Sequence, residues 1–162
     1  MSSADTREGE IAAPLATASE LFDDVSFLLA RANALSLAAG NAALAAHGLR
    51  VRSYSVLALV ASATRPSQRE IAEYLRLDPS QVVALVDELQ KRGLVVREPD
   101  PSDRRANVVV ATPQGKALHE KASASARAAE QNLHDDLTAE DRGQLTELLR
   151  RLAFPRTDER DA

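Results

Sequence analysis

The chain has 162 residues, 44% hydrophobic but only 3% aromatic, with a formal net charge of −4. Such a length suits one domain with helical extensions, and the core must be built from Leu, Val and Ala. With no Cys, disulfides, thiolate metal sites and cysteine-based redox sensing are excluded.

The start, MSSADTREGE, lacks the basic and apolar regions of a signal peptide. No apolar run reaches the roughly 18–20 residues that span a bilayer. The expectation is therefore a cytoplasmic protein with no membrane partner. Residues 1–17 show no periodicity and read as a disordered N-terminal tail; the alternative is an arm that wraps a partner subunit.

A long helix is expected from Ser19, its candidate N-cap, within a unit 18–48. Leu21, Phe22, Val25, Leu28, Leu29, Ala32 and Leu35 recur at three- and four-residue steps. Gly40 and Asn41 are expected to kink or end it, and His47-Gly48 reads as a stop. A neighbouring module of about 60 residues is too small to cover this stripe, so a second copy of the chain is the economical partner.

The unit 49–112 opens with a helix over 51–63 that the Pro66 region interrupts. Ser67-Gln68-Arg69-Glu70 then matches a capping box, Ser at the N-cap and Glu at N3. Asp78-Pro79-Ser80-Gln81 opens the next helix with a cap and a Pro pre-set for the first turn. Two helices joined so tightly have helix-turn-helix spacing. On a helical wheel Val82, Leu85, Val86 and Leu89 share the buried side. Ser80, Ala84, Asp87 and Lys91 point outward, flanked by Gln81, Val83 and Glu88. This small, mostly uncharged face lets a helix approach base edges: Gln81 suits adenine, Ser80 a phosphate or base, and the Val83 and Ala84 methyls suit thymine methyls.

Gly93 follows as a helix stop. The runs 94–97 and 106–110 are of β type, separated by the charged, turn-rich tip EPDPSDRR. At that tip Asp103 can orient a neighbouring Arg, whose guanidinium then suits a narrow minor groove. Residues 51–112 hold nine basic and eight acidic side chains, so the chain's acidity lies mostly outside this module.

The unit 113–154 contains two more helices. Thr112-Pro113 starts one that runs to about residue 136, and Thr138 caps another whose stripe is Leu145, Leu148, Leu149 and Leu152. Residues 155–162 read as a flexible tail.

The combination LDPS, LVDELQKRGLV, PDPSDRR and TPQGKAL at this spacing resembles the MarR family of bacterial transcriptional regulators. The resemblance is sharp over about 65–118 and looser, in helix order, over about 20–152. It implies a mainly α fold with a small β-wing, a winged helix-turn-helix flanked by N- and C-terminal dimerisation helices. It implies a homodimeric repressor, released from a pseudo-palindromic operator by a small aromatic or anionic effector. The dimer interface falls on Leu21, Phe22, Val25, Leu145, Leu148, Leu149 and Leu152. The expected DNA-contacting set is Ser67, Gln68, Ser80, Gln81, Val83, Ala84, Arg104 and Arg105, with Arg105 as the minor-groove residue of the wing and Asp103 its buttress. The effector is expected near Arg31, His47, Arg52 and Tyr54.

Two departures narrow this. Many family members carry a Thr-Arg pair where this chain has Val83-Ala84, so guanine reading by a recognition-helix Arg is not expected. The missing Cys and Trp remove the hydroperoxide- and urate-sensing mechanisms found within the family. No enzyme motif accompanies His47, His119 and His134: there is no nucleophile motif, no HExxH and no phosphate loop. No cofactor or metal is expected. The alternatives are a metal-responsive regulator using those His with Asp135 or Asp136, and a winged-helix protein-interaction module that has lost DNA binding.

Overall fold

The computed structural model describes residues 20–62, 64–101, 103 and 106–155. The expected tail 1–17, nearly all of the expected tail 155–162, the cap Ser19, and the wing residues Arg104 and Arg105 lie outside the described residues. Among the described residues the order is a 3-10 turn at Glu20–Asp23, then α1 (Val25–Ala45), α2 (Val51–Ala61), α3 (Gln68–Leu75) and α4 (Pro79–Lys91). A hairpin of β1 (Val95–Pro99) and β2 (Asn107–Ala111) follows, then α5 (Pro113–Leu133) and α6 (Ala139–Ala153). The fold is mainly α with one small antiparallel sheet.

The first helix begins later than the hydrophobic stripe suggests. Asp24, not Ser19, is its N-cap: the Asp24 carboxylate accepts from the Phe27 N–H at 2.6 Å. Aspartate satisfies an otherwise orphaned first-turn donor, and the residues before it close into the 3-10 turn. Nor does α1 break at Gly40-Asn41. A Cβ at Gly40 would lie 2.7 Å from Val51 Cγ2, so glycine lets the start of α2 approach α1 closely. Asn41 Oδ1 accepts from the Val51 N–H at 2.9 Å, satisfying a donor of α2 from a neighbouring helix. The two residues expected to end α1 instead dock α2 onto it.

The core of the lobe gathers Val56, Leu57 and Val60 from α2, Ile71 from α3, and Val82, Val86 and Leu89 from α4. Val95, Val109 and Ala111 close it from the hairpin, while Leu44 of α1 and Ala122 of α5 seal it from the flanks. In the hairpin Val95 pairs with Ala111 and Arg97 with Val109. β1 runs through Glu98 to Pro99, two residues further than the β-type run suggests. The hairpin also has a third edge. The Val109 N–H donates to the Pro66 carbonyl at 2.8 Å, and Ser67 bridges Val108. The segment before α3 is thereby stitched to the wing, and the edge strand does not stand bare.

Gly115 fixes the junction between wing and α5. A Cβ there would lie 2.0 Å from the Leu94 carbonyl oxygen, so only glycine permits this crossing. Thr112 caps α5 by accepting from the Gly115 N–H at 3.0 Å, and its hydroxyl donates to the Gly93 carbonyl at 2.7 Å.

α1 packs along α5 and α2, yet its N-terminal half is exposed throughout. α6 has no buried residue at all. Leu21, Phe22, Val25, Leu145, Leu148, Leu149 and Leu152 are all exposed, Val25 at 66% and Leu152 at 65%. By length and composition alone α1 is apolar enough to cross a membrane, which the reading of the sequence did not anticipate.

Candidate nucleic-acid interface

α3 and α4 form the helix pair expected from the sequence. Ser67 caps α3 with a full capping box: its hydroxyl and N–H both donate to Glu70 Oε2 at 2.7 Å. Those bonds, the backbone one first, hold the Glu70 carboxyl below its ordinary range. α3 ends at Arg76, which adopts the left-handed region with φ 53°. That reversal costs a non-glycine residue strain, and it sets the tight turn into Asp78. Asp78 then caps α4, its carboxyl held low by the Ser80 hydroxyl first and the Ser80 N–H next.

On α4, Val82, Val86 and Leu89 are buried and Leu85 half-buried, as the wheel requires. Ser80, Gln81, Val83 and Ala84 are exposed together on the outer face. The Ser80 hydroxyl donates to Asp78, so toward an outside partner it is an acceptor. Ser67 is likewise held in its cap. This leaves Gln81, Val83 and Ala84 as the side chains of this face without a structural duty in the helix ends.

Arg97, which the sequence reading treated only as the end of a β-type run, ties the wing to both helices. Its Nη2 donates to Asp87 Oδ1 of α4 at 2.6 Å and to Gln68 Oε1 of α3 at 2.6 Å. Its Nε reaches the same Gln68 oxygen at 3.0 Å, and its Nη1 reaches Gln90 Oε1 at 2.8 Å. Planar guanidinium geometry suits this three-way junction. The side-chain oxygen of Gln68 is therefore occupied by Arg97, and only its amide end faces outward duties. The signal in the sequence was an arginine inside an apolar strand, but its partners lie 7, 10 and 29 residues away, beyond local pattern.

A second arginine anchors the other end of α4. Arg92 Nη1 donates to the Gly48 carbonyl at 2.6 Å and Nη2 to the His47 carbonyl at 3.1 Å. The C-terminal end of α4 is thus bonded to the loop that leaves α1. At the wing tip the Asp100 N–H donates to the Ala106 carbonyl and the Ala106 N–H to the Asp103 carbonyl, both at 2.9 Å. Asp103 is exposed.

The four residues expected around an effector are Arg31, His47, Arg52 and Tyr54. A cleft of about 860 Å³ lies between α1, the loop at 48–50, the start of α2, and Leu85 and Glu88 of α4. Of the four, only Arg52 lines it, beside Arg50. His47 Nε2 shares a hydrogen bond of 2.9 Å with Ser125 Oγ of α5. Tyr54 stacks on His119, ring centroids 5.7 Å apart. Arg31 is exposed on α1. Among the described residues no three His, Asp or Glu side chains gather as a metal group.

The sequence profile of the MarR family matches residues 47–106, from the loop after α1 to the wing tip. A MarR-family transcriptional regulator from Rhodococcus sp. RHA1 superposes with a TM-score of 0.79 at 45% identity, covering 85% of this chain and 99% of that one. CouR from Rhodococcus jostii RHA1, solved with p-coumaroyl-CoA bound, gives a TM-score of 0.79 at 45% identity, covering 88% of this chain and 100% of that one. A Thauera aromatica protein, a candidate transcriptional regulator of the hcr operon, is 31% identical over 99 residues, 61% of this chain. That match spans 60% of the relative's own length. With its helix pair, its stitched wing and the near-full-length likenesses to the two Rhodococcus proteins, the chain belongs to the MarR family of transcriptional regulators.

Proposed function

We propose that the protein is a cytoplasmic homodimeric repressor that binds a pseudo-palindromic operator and is released by an aromatic carboxylic acid or its CoA thioester. The observation that carries this reading is the continuous bonding from α1 to the recognition helix. Arg92 fastens α4 to the loop after α1, and the cleft beside that loop is lined by α1, α2 and α4 together. A ligand seated there touches both the dimerisation helix and the reading helix. It would shift the distance between the two reading helices, which a dimer must match to about one helical turn of DNA. Arg50 and Arg52 at the cleft suit an anionic ligand, and the likeness to CouR supports an aromatic acyl-CoA.

In this reading the exposed stripes of α1 and α6 are covered by a second copy, which also accounts for the apolar character of α1. α4 enters the major groove with Ser80, Gln81, Val83 and Ala84. The amide end of Gln68 meets a phosphate while Ser67 keeps both of its donors on Glu70, and Arg104 and Arg105 serve the wing, Arg105 in the minor groove with Asp103 as its buttress. Arg105→Ala should weaken operator binding while leaving the dimer intact. The test of release is a shift assay on the gene's own promoter DNA at fixed salt. p-Coumaroyl-CoA should dissociate the complex where CoA alone does not. If neither the thioester nor free aromatic acids alter binding, the effector assignment fails.

A further inference from the structure

We infer that the half-site read by α4 carries a thymine whose C5 methyl packs on Val83, which makes Val83 a specificity-determining residue. The inference rests on the DNA-reading role proposed for α4.

Val83 is 41% exposed while its neighbour Val82 is fully buried. It faces outward into a hollow of about 760 Å³ between α3 and α4, beside Gln68, Arg76, Leu77 and Pro79. A β-branched side chain on a helix has essentially one rotamer, so its methyls occupy a fixed place. The first two turns of α4 carry no charged side chain, while Arg69, Glu73 and Arg76 line the α3 side of the same hollow. Asp87 is held by Arg97 at 2.6 Å, and the Ser80 hydroxyl is turned to Asp78. The sole cation of α4 is Lys91, in its last turn. Nothing on the first two turns can make the bidentate guanine contact that arginine or lysine makes.

What remains is an apolar knob with Ala84 beside it. The major groove offers one apolar partner, the thymine methyl; the other edges present polar groups. A cytosine or guanine edge pressed on Val83 would lose hydration without a bond in return. Substitution of the methyl by hydrogen removes one buried carbon, worth about a fourfold change in affinity.

The experiment uses the full-length protein and the promoter site mapped by footprinting. Thymines are replaced one at a time by deoxyuracil, which leaves every base-pair hydrogen bond in place. Affinity should fall about fourfold at one symmetry-related pair of positions. Val83→Ala should bind thymine and uracil at that pair equally, with its thermal melting unchanged because the site is exposed. If the protein binds the site specifically but no uracil replacement weakens it, or if Val83→Ala keeps the discrimination, the inference falls and the DNA-reading role stands. If no sequence preference exists in the promoter, both fall.

Discussion

Arg97 shows how much one side chain decides. It holds β1, α3 and α4 in a single register through four hydrogen bonds. Its pairing with Asp87 is three-quarters shielded on the arginine side but half exposed on the aspartate side, so solvent screens part of it. Arg97→Ala should destabilise the fold by about 1–2 kcal/mol in chemical denaturation. It should also weaken DNA binding more than that loss explains, because the wing is no longer aligned with α4. An unchanged DNA affinity would show that the junction is merely structural. Gly115→Ala is the more severe change, since its Cβ would collide with the Leu94 backbone. We expect at least about 2 kcal/mol of destabilisation, with no relaxed rotamer to relieve it. The helix-end carboxylates give a pH signature. Glu70, Asp78 and Asp141 have folded-state values lowered chiefly by Ser67, Ser80 and Thr138. Their contribution is therefore present above the unfolded value of about 4 and is lost as pH falls through the lowered one. Melting temperature should drop on the acid side, and Thr138→Val should flatten that drop.

At the scale of elements, what could be read in the sequence was whatever local chemistry dictates. The capping box at Ser67, the cap at Thr138 and the Asp78-Pro79 start stand where the residues demand them, because a cap acts within one turn. The buried stripe of α4 followed from periodicity alone. The misreadings came from contacts between elements. Gly40-Asn41 looks like a helix end by propensity, but Val51 packs on the glycine and bonds the asparagine. The stop was overruled by packing. Ser19 lost the cap to Asp24, which sits beside the first helical turn. The third edge of the wing, through Pro66 and Ser67, pairs residues some 40 positions apart in sequence, and no periodicity records it. The junction element is testable through Thr112, whose hydroxyl serves both α5 and the Gly93 carbonyl. Thr112→Ala should cost about 1–2 kcal/mol and loosen the hairpin, seen as faster amide exchange at Val95 and Ala111.

For the whole molecule, the unsettled surface is the governing fact. α6 has no fully buried residue within its own chain, and the ring of Phe154 at its end lies 5.7 Å from the exposed ring of Tyr74. A leucine stripe left in water fits the association surface proposed for a second copy. Leu149→Glu, placed in that stripe, should convert a dimer to monomers in sedimentation and abolish cooperative operator binding; a dimer that persists would move the interface elsewhere. The measurement that bears most directly on the central claim is the affinity of the intact protein for its own promoter DNA against a scrambled duplex at equal salt. The account predicts a preference of about a thousandfold or more, with one dimer per site and affinity falling steeply as salt rises. Equal affinity for the two duplexes would contradict it.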